Sequence, residues 1–245
     1  MKIDLLFTWH ELQPRSLENS IVVVADVLRA TTVMMRALQN GARAIMPQDS
    51  EQSAQDMYTL LQEQGLPVLL CGEKEGVKRE GYHLGNSPSE FTPAAVNDKI
   101  MVQLTTNGTK ALSAARTAQK TFIAAFSNMT AAANRLRLYK DDAEECLFVV
   151  SGREGRYCLE DAVCLGGIIA LLIEPPGVFT EVSDAARSSV DLFHLYQDDL
   201  LNMLHTCYHG RYLQEIGLGD DLEECAQVNT TPITPEMKGN RISIA

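Results

Sequence analysis

The 245-residue sequence predicts an α/β fold: a three-layer α/β/α arrangement on mostly parallel sheet, followed by a helical carboxyl-terminal region. Three observations carry this prediction. Short aliphatic or β-branched runs alternate with longer amphipathic stretches as far as Ile173, the order expected of strands and their covering helices. Runs such as Ile21-Val22-Val23-Val24 do not alternate apolar with polar residues, so both faces of those strands must be covered. From Glu181 onward the pattern becomes helix after helix. A chain of this length buries a core that needs no staples. It is expected to form a single compact α/β unit over 1–245, divisible at most into similar βα subdomains at 1–140 and 141–245.

The first strand falls at Ile3–Phe7, and the second, Ile21–Asp26, ends on a carboxylate. A helix at Thr31–Gln39 follows, with Thr31 or Thr32 available to cap it. Next come a strand at Ala42–Met46, an amphipathic helix at Glu51–Gln64 and a strand at Val68–Cys71. The glycine-rich stretch from Gly72 to Glu90 lacks a regular pattern and is long for a passive connector, which points to a binding loop. Strand Ile100–Leu104 leads into helix Thr109–Ala118, strand Thr121–Ala125 into helix Asn128–Tyr139, and strand Cys146–Val150 into helix Leu159–Ile173. Pro175-Pro176-Gly177 is the sharpest break, because prolines end a helix and glycine permits a tight turn. Helices are expected at Glu181–Tyr196, Gln197–Tyr208 and Leu218–Cys225, then a proline-punctuated tail and a short strand at Ile242–Ile244. Val23–Leu38, Met101–Leu112 and Phe148–Ile168 echo one βα architecture. They would bring polar loops to the carboxyl end of the sheet, where open α/β folds bind ligands.

Charge and composition narrow the function. With 21 Lys+Arg against 32 Asp+Glu the formal charge is −11, without the basic footprint that holds nucleic acid or anionic lipid, so neither is an expected partner. The longest apolar run, Ala162–Ile173, is shorter than the ~20 residues that span a bilayer. Asp4, His10 and Glu11 stand where a signal peptide needs an apolar stretch, so a cytoplasmic location is expected. Cys71, Cys146, Cys158, Cys164, Cys207 and Cys225 form no C-x-x-C pair, which suits a reduced chain.

Four loops carry chemistry. In Ala25–Thr32, Asp26 ends a buried strand, Arg29 lies within reach of it, and Thr31 or Thr32 begins a helix whose free N–H groups suit a phosphate oxygen; a structural Asp–Arg pair with a capping threonine is the alternative. Thr105-Thr106-Asn107-Gly108 lets backbone amides approach an anion, or serves as an ordinary N-cap. Neither a Walker motif nor G-x-G-x-x-G is present. In Ser151–Asp161, Arg153 and Arg156 could clamp anions, and Glu160-Asp161 fit metal ligands or simply a favourable first helical turn. In the glycine-rich connection, Glu73 follows a strand end, and Asn86 and Ser87 precede a proline-started helix. His205 and His209 stand i,i+4, but Thr206 occupies the place of the general base in H-E-x-x-H, so they are expected to be ordinary helix residues.

Taken together, ADVLRATT at Ala25–Thr32, GEKEG at Gly72–Gly76, GYHLGNSPSE at Gly81–Glu90, TTNGTKAL at Thr105–Leu112 and SGREGRYCLED at Ser151–Asp161 resemble the 2-phosphosulfolactate phosphatase family. The resemblance implies magnesium-dependent hydrolysis of 2-phospho-3-sulfolactate to 3-sulfolactate and phosphate, a step of coenzyme M biosynthesis in methanogens, on an α/β fold that is usually a homodimer. Carried over by position, it implies Asp26, Arg29, Glu73 and Asp161 as catalytic residues. Thr31, Thr32, Asn86, Ser87, Glu90, Thr105, Thr106, Asn107, Gly108 and Arg153 would bind a small anionic phosphomonoester, and Asp26, Glu160 and Asp161 would hold Mg2+. The sequence departs where the family often has Cys-Ala-Gly: Val150-Ser151-Gly152 stands there, which argues against a cysteine nucleophile at that place.

The physics agrees with that implication. A chain of charge −11 can hold such a ligand only if Arg29 and Arg153, joined by Lys74, Arg79 or Arg156, line the site with a divalent cation. Asp26 would be a metal ligand or an aspartyl nucleophile, and Leu28 excludes the haloacid-dehalogenase arrangement, which needs a second aspartate there. Two other readings stay open at this stage. One is a cysteine hydrolase of isochorismatase-like type using Asp26, a lysine and Cys71; the other is a non-catalytic module that binds a phosphorylated metabolite.

Overall fold

The computed structural model describes residues 1–174, 179 and 181–244. Strands β1 (Lys2–Leu6), β2 (Ser20–Ala25), β3 (Ala44–Gln48), β4 (Val68–Lys74), β5 (Val77–Lys78), β6 (Ile100–Leu104), β7 (Lys120–Ala124), β8 (Glu145–Val150), β9 (Glu181–Val182), β10 (Pro235–Lys238) and β11 (Arg241–Ile244) form one sheet. Their order is β5-β4-β6-β3-β11-β10-β7-β2-β8-β1-β9. The segments β4-β6-β3 and β7-β2-β8-β1-β9 are parallel. The β10–β11 hairpin joins them, antiparallel to β7 on one side and to β3 on the other. The predicted α/β class, with mostly parallel sheet, is the one observed.

Helices α1 (Ala30–Gln39), α2 (Glu51–Glu63), α3 (Pro93–Val96), α4 (Gly108–Ala114), α5 (Met129–Arg137), α6 (Leu159–Ile173), α7 (Asp184–Tyr196), α8 (Leu200–Thr206), α9 (Tyr208–Glu215) and α10 (Asp221–Cys225) complete the layers. The uniform burial of β2 follows from its neighbours. Val22 and Val24 pack with α1 and α4 on one face. Ile21, Val23 and Ala25 pack with α5, α6 and the helices after it on the other. Beneath β4 and β6 the second face is covered by α2, where Ala54 and Leu61 meet Leu70, Val102 and Leu104. Each valine, leucine or isoleucine among them contributes roughly 1.5–3 kcal/mol on burial. The apolar α6 lies against α7 so closely that a Cβ on Gly166 would sit 1.9 Å from the Ser189 carbonyl oxygen. No described helix is long and apolar enough to cross a membrane.

Several expected boundaries move. Glu181–Val182 is not the start of a helix but pairs with β1 as β9; Ser183 then caps α7 by accepting the Ala186 N–H. The expected helix Gln197–Tyr208 is α8 alone, because the chain turns extended at Cys207. That residue's sulfur accepts the Gly210 N–H and starts α9, which the sequence pattern did not resolve. His205 and His209 therefore sit on two helices, not one face of one helix. The helix expected at Leu218–Cys225 is shorter, Asp221–Cys225, and the tail holds β10 as well as the expected terminal strand. The glycine-rich connection contains β5 and a 3₁₀ turn at Pro88–Glu90. The break at Pro175-Pro176-Gly177 lies outside the described residues.

Candidate active site

The carboxyl ends of β2, β4, β6 and β8 converge, and α9 closes over them. Together they enclose a cavity of about 50 Å³ lined by Asp26, Leu28, Arg29, Glu73, Glu75, Gly76, Asn86, Thr105, Thr106, Asn107, Arg153, Glu154, His209 and Tyr212. An open groove of about 890 Å³ runs alongside and shares Glu75 and Tyr212 with it. Lys74 and Arg79 line that groove rather than the cavity, and Arg156 lines neither.

Asp26 directly follows β2. Its Oδ1 accepts the Ala30 N–H at 3.2 Å, and among the described residues its Oδ2 accepts no hydrogen bond. A Cβ on Gly108 would meet that Oδ2 at 2.6 Å, so only glycine lets the β6 loop approach so closely. Burial pushes Asp26 up to about 6; His209 and the Ala30 N–H pull it down, and Glu73 and Glu160 push it up. Thr31 and Thr32 turn inward: the Thr31 hydroxyl donates to the Asp26 carbonyl and accepts its N–H, and the Thr32 hydroxyl donates to the Val27 carbonyl. They hold the loop and do not line the cavity.

Two other predicted carboxylates brace loops. Glu73 Oε1 accepts the Thr106 N–H and hydroxyl at 2.7 and 2.8 Å, and Oε2 accepts the Gly76 N–H at 2.7 Å. Asp161 accepts the Val27 N–H at 2.8 Å on one oxygen and the Gly152 N–H at 3.2 Å on the other. It joins the Asp26 loop to the Arg153 loop. Burial, with Glu160 and Asp26 adding to it, holds Asp161 well above the usual carboxylate range, against those two N–H groups. Burial also opposes the charge of Glu160, but the neighbouring His209, with Nδ1 3.5 Å from Oε1, keeps it below the ordinary value.

The arginines differ. Arg29 is buried, donating from Nη1 to Asp221 Oδ2 at 2.6 Å and from Nη2 to the Gly76 carbonyl at 2.5 Å. Asp221 also accepts the Ser87 hydroxyl, so α10 is tied to both predicted loops. Arg153 stacks on the Tyr212 ring at 3.8 Å, and its Nη1 is buried without a hydrogen-bond partner. Asn86 Oδ1 accepts from Gln103, Asn107 Oδ1 accepts the Glu154 N–H, and Thr105 accepts the Thr109 N–H. Glu90 accepts the Gly85 and Ser87 N–H groups and shapes its own loop.

Asp26, Arg29, Glu73, Asn86, Thr105, Thr106, Asn107 and Arg153 thus share one cavity, whereas Ser87, Glu90, Gly108, Glu160 and Asp161 stand behind it. Sequence reasoning missed His209, Tyr212 and Asp221. The signal for His209 was Gly210, whose lack of a side chain permits the close turn at Cys207; a Cβ there would sit 1.7 Å from the Leu204 carbonyl oxygen. The cysteine-hydrolase reading fails on Cys71. That thiol is fully buried and outside the cavity, and burial followed by the Glu90 charge pushes it up, so it stays protonated.

Comparison with known proteins returns relatives that match nearly the whole chain. A family model described as 2-phosphosulpholactate phosphatase matches residues 6–240. A Clostridium novyi (strain NT) protein named "Probable 2-phosphosulfolactate phosphatase" is 31% identical over 245 residues, covering 99% of this chain and 100% of that protein. A Microcystis aeruginosa protein of the same name is 37% identical over 240 residues, 95% and 96% of the two chains. A third, from Symbiobacterium thermophilum, is 35% identical over 219 residues, 89% and 91%.

Proposed function

The chain belongs to the 2-phosphosulfolactate phosphatase family, and from that premise we propose that it hydrolyses 2-phospho-3-sulfolactate with a magnesium-class cation in its site. The family's activity is that of a phosphoric monoester hydrolase acting on a small phosphomonoester.

Arg153 carries the reading. A buried guanidinium N–H without an acceptor costs about 1–3 kcal/mol, and a phosphoryl or sulfonate oxygen in the cavity would satisfy Nη1. Tyr212 keeps the guanidinium plane fixed by stacking, so little freedom is lost on binding. Arg29 supplies a second guanidinium whose orientation is set by Asp221 and the Gly76 carbonyl.

Asp26 takes the reacting-centre role, with Oδ2 as its working oxygen. Glu160 adds to the cost of ionising Asp26, and both add to that of Asp161, in a buried space, which is donor chemistry suited to a hard divalent cation. Asp26 and Glu160 would hold it, while Asp161 orients the two loops through its backbone partners. Bound there, such an ion supplies charge neutralisation for the phosphoryl oxygens. In the displacement, the oxygen of water bonds to phosphorus, the ester P–O bond breaks, and a proton from that water ends on the leaving alkoxide. The glycine at 108 keeps the β6 loop against Asp26 and so excludes bulk water from that side.

The test is phosphate release from racemic 2-phosphosulfolactate and a panel of other phosphomonoesters, with magnesium and with EDTA. Metal-dependent release that favours the sulfonated ester is expected. Release untouched by EDTA would remove the cation from the site, and no release from any ester by folded protein would remove the reaction.

A further inference from the structure

Beside the oxygen donors assigned above, a different donor set converges from two helices. Cys158 immediately precedes α6, Glu160 lies in its first turn, and His209 lies in the first turn of α9. One sulfur, one carboxylate oxygen and one imidazole nitrogen of these residues all lie within 4.8 Å of one another. Donors bound tetrahedrally at about 2.0–2.3 Å stand roughly 3.3–3.7 Å apart. The 3.5 Å between His209 Nδ1 and Glu160 Oε1 already meets that spacing. Cys158 and Glu160 are buried, and the His209 side chain is only 15% exposed, so the three are held by packing.

We propose that Cys158, Glu160 and His209 form a site for a thiophilic divalent cation of the zinc class. Sulfur, imidazole and carboxylate together suit zinc or cobalt(II), whereas magnesium demands oxygen donors. Three protein ligands leave a fourth position open. Cys207, whose sulfur accepts the Gly210 N–H, is not among the donors that lie within that distance of one another. On uptake the Cys158 S–H proton passes to solvent as the sulfur–metal bond forms. Glu160 serves this site and the proposed magnesium position alike, so zinc is expected to inhibit magnesium-supported turnover. That last consequence rests on the phosphatase reading; the binding itself does not.

The experiment titrates the chelator-treated full chain with cobalt(II) and follows absorption. A sulfur-to-cobalt charge-transfer band that saturates at one equivalent, is lost on adding zinc and survives excess magnesium is the expected result. Cys158→Ser should abolish the band, and His209→Gln should weaken zinc binding at least tenfold, which keeps the test open if the serine variant does not fold. A band that persists in Cys158→Ser, zinc affinity unchanged in His209→Gln, or displacement by magnesium would overturn the site. Phosphate release is measured with magnesium on the same chelator-treated chain before any cobalt(II) is added. Turnover without the band overturns this site and leaves the phosphatase reading standing, whereas the band without turnover supports the site and overturns that reading.

Discussion

At Asp26 a buried carboxylate is pushed from 3.8 up to about 6, so function and stability pull in opposite directions there. The folded chain binds the Asp26 proton more tightly than the unfolded chain does. The stability this contributes is full below the unfolded value of 3.8 and is lost as pH rises through about 6. Asp26→Asn removes the cost of the buried charge. In EDTA its thermal midpoint is expected to climb relative to the parent between about pH 4 and pH 7, with turnover down roughly 10²–10⁴-fold. A pH-independent difference in midpoint, or turnover above a tenth of the parent, would take Asp26 out of that role. Asp26, Glu73 and Arg153 were legible in the sequence because each follows the apolar run of a predicted strand. The work each does was not legible. That Glu73 braces Thr106 and Gly76, or that Arg153 keeps an unpartnered Nη1, depends on neighbours distant in sequence.

Helix α10 shows the same limit one scale up. Asp221 opens a five-residue helix, and nothing local announces that its carboxylate meets Arg29 and Ser87 across 192 and 134 residues. Removing one partner of a buried pair strands the other charge, so Asp221→Ala is expected to cost about 3–5 kcal/mol in urea unfolding. Ser87→Ala, which removes only a hydroxyl donor, should cost nearer 1 kcal/mol. Equal losses in the two variants would mean that the Arg29 contact is not the dominant one. The β10–β11 hairpin was half legible: Ile242–Ile244 has strand character, but Pro235 disguised its partner, and no local pattern places a terminal hairpin at the centre of a sheet. Fully buried Ile242 faces Ile45 across the join. Ile242→Ala should therefore destabilise the fold by about 2–5 kcal/mol, and a change below half a kilocalorie per mole would show that the two parallel segments cohere without it.

Across the whole molecule, layers follow from sequence because non-alternating strands must be buried on both faces, whereas the strand order does not, since it is set by which edges meet. The consequence for function is electrostatic. The chain carries −11, and its substrate class carries a phosphate of about −1.5 to −2 with further acidic groups. Arg29 is already neutralised by Asp221, and Arg153 faces the exposed Glu154 through Nε at 3.7 Å, which leaves Arg153 Nη1 as the guanidinium donor to spare in the cavity. Approach is therefore opposed by the long-range field and favoured only at contact. The screening length falls from about 30 Å at 0.01 M salt to about 10 Å at 0.1 M, which removes the repulsion before it weakens the buried contact. At fixed magnesium, kcat/KM for 2-phosphosulfolactate should rise several-fold over that range, and less for a phosphomonoester with no other charge. A fall with salt would mean that the cavity's own positive potential, rather than the acidic surface, governs encounter.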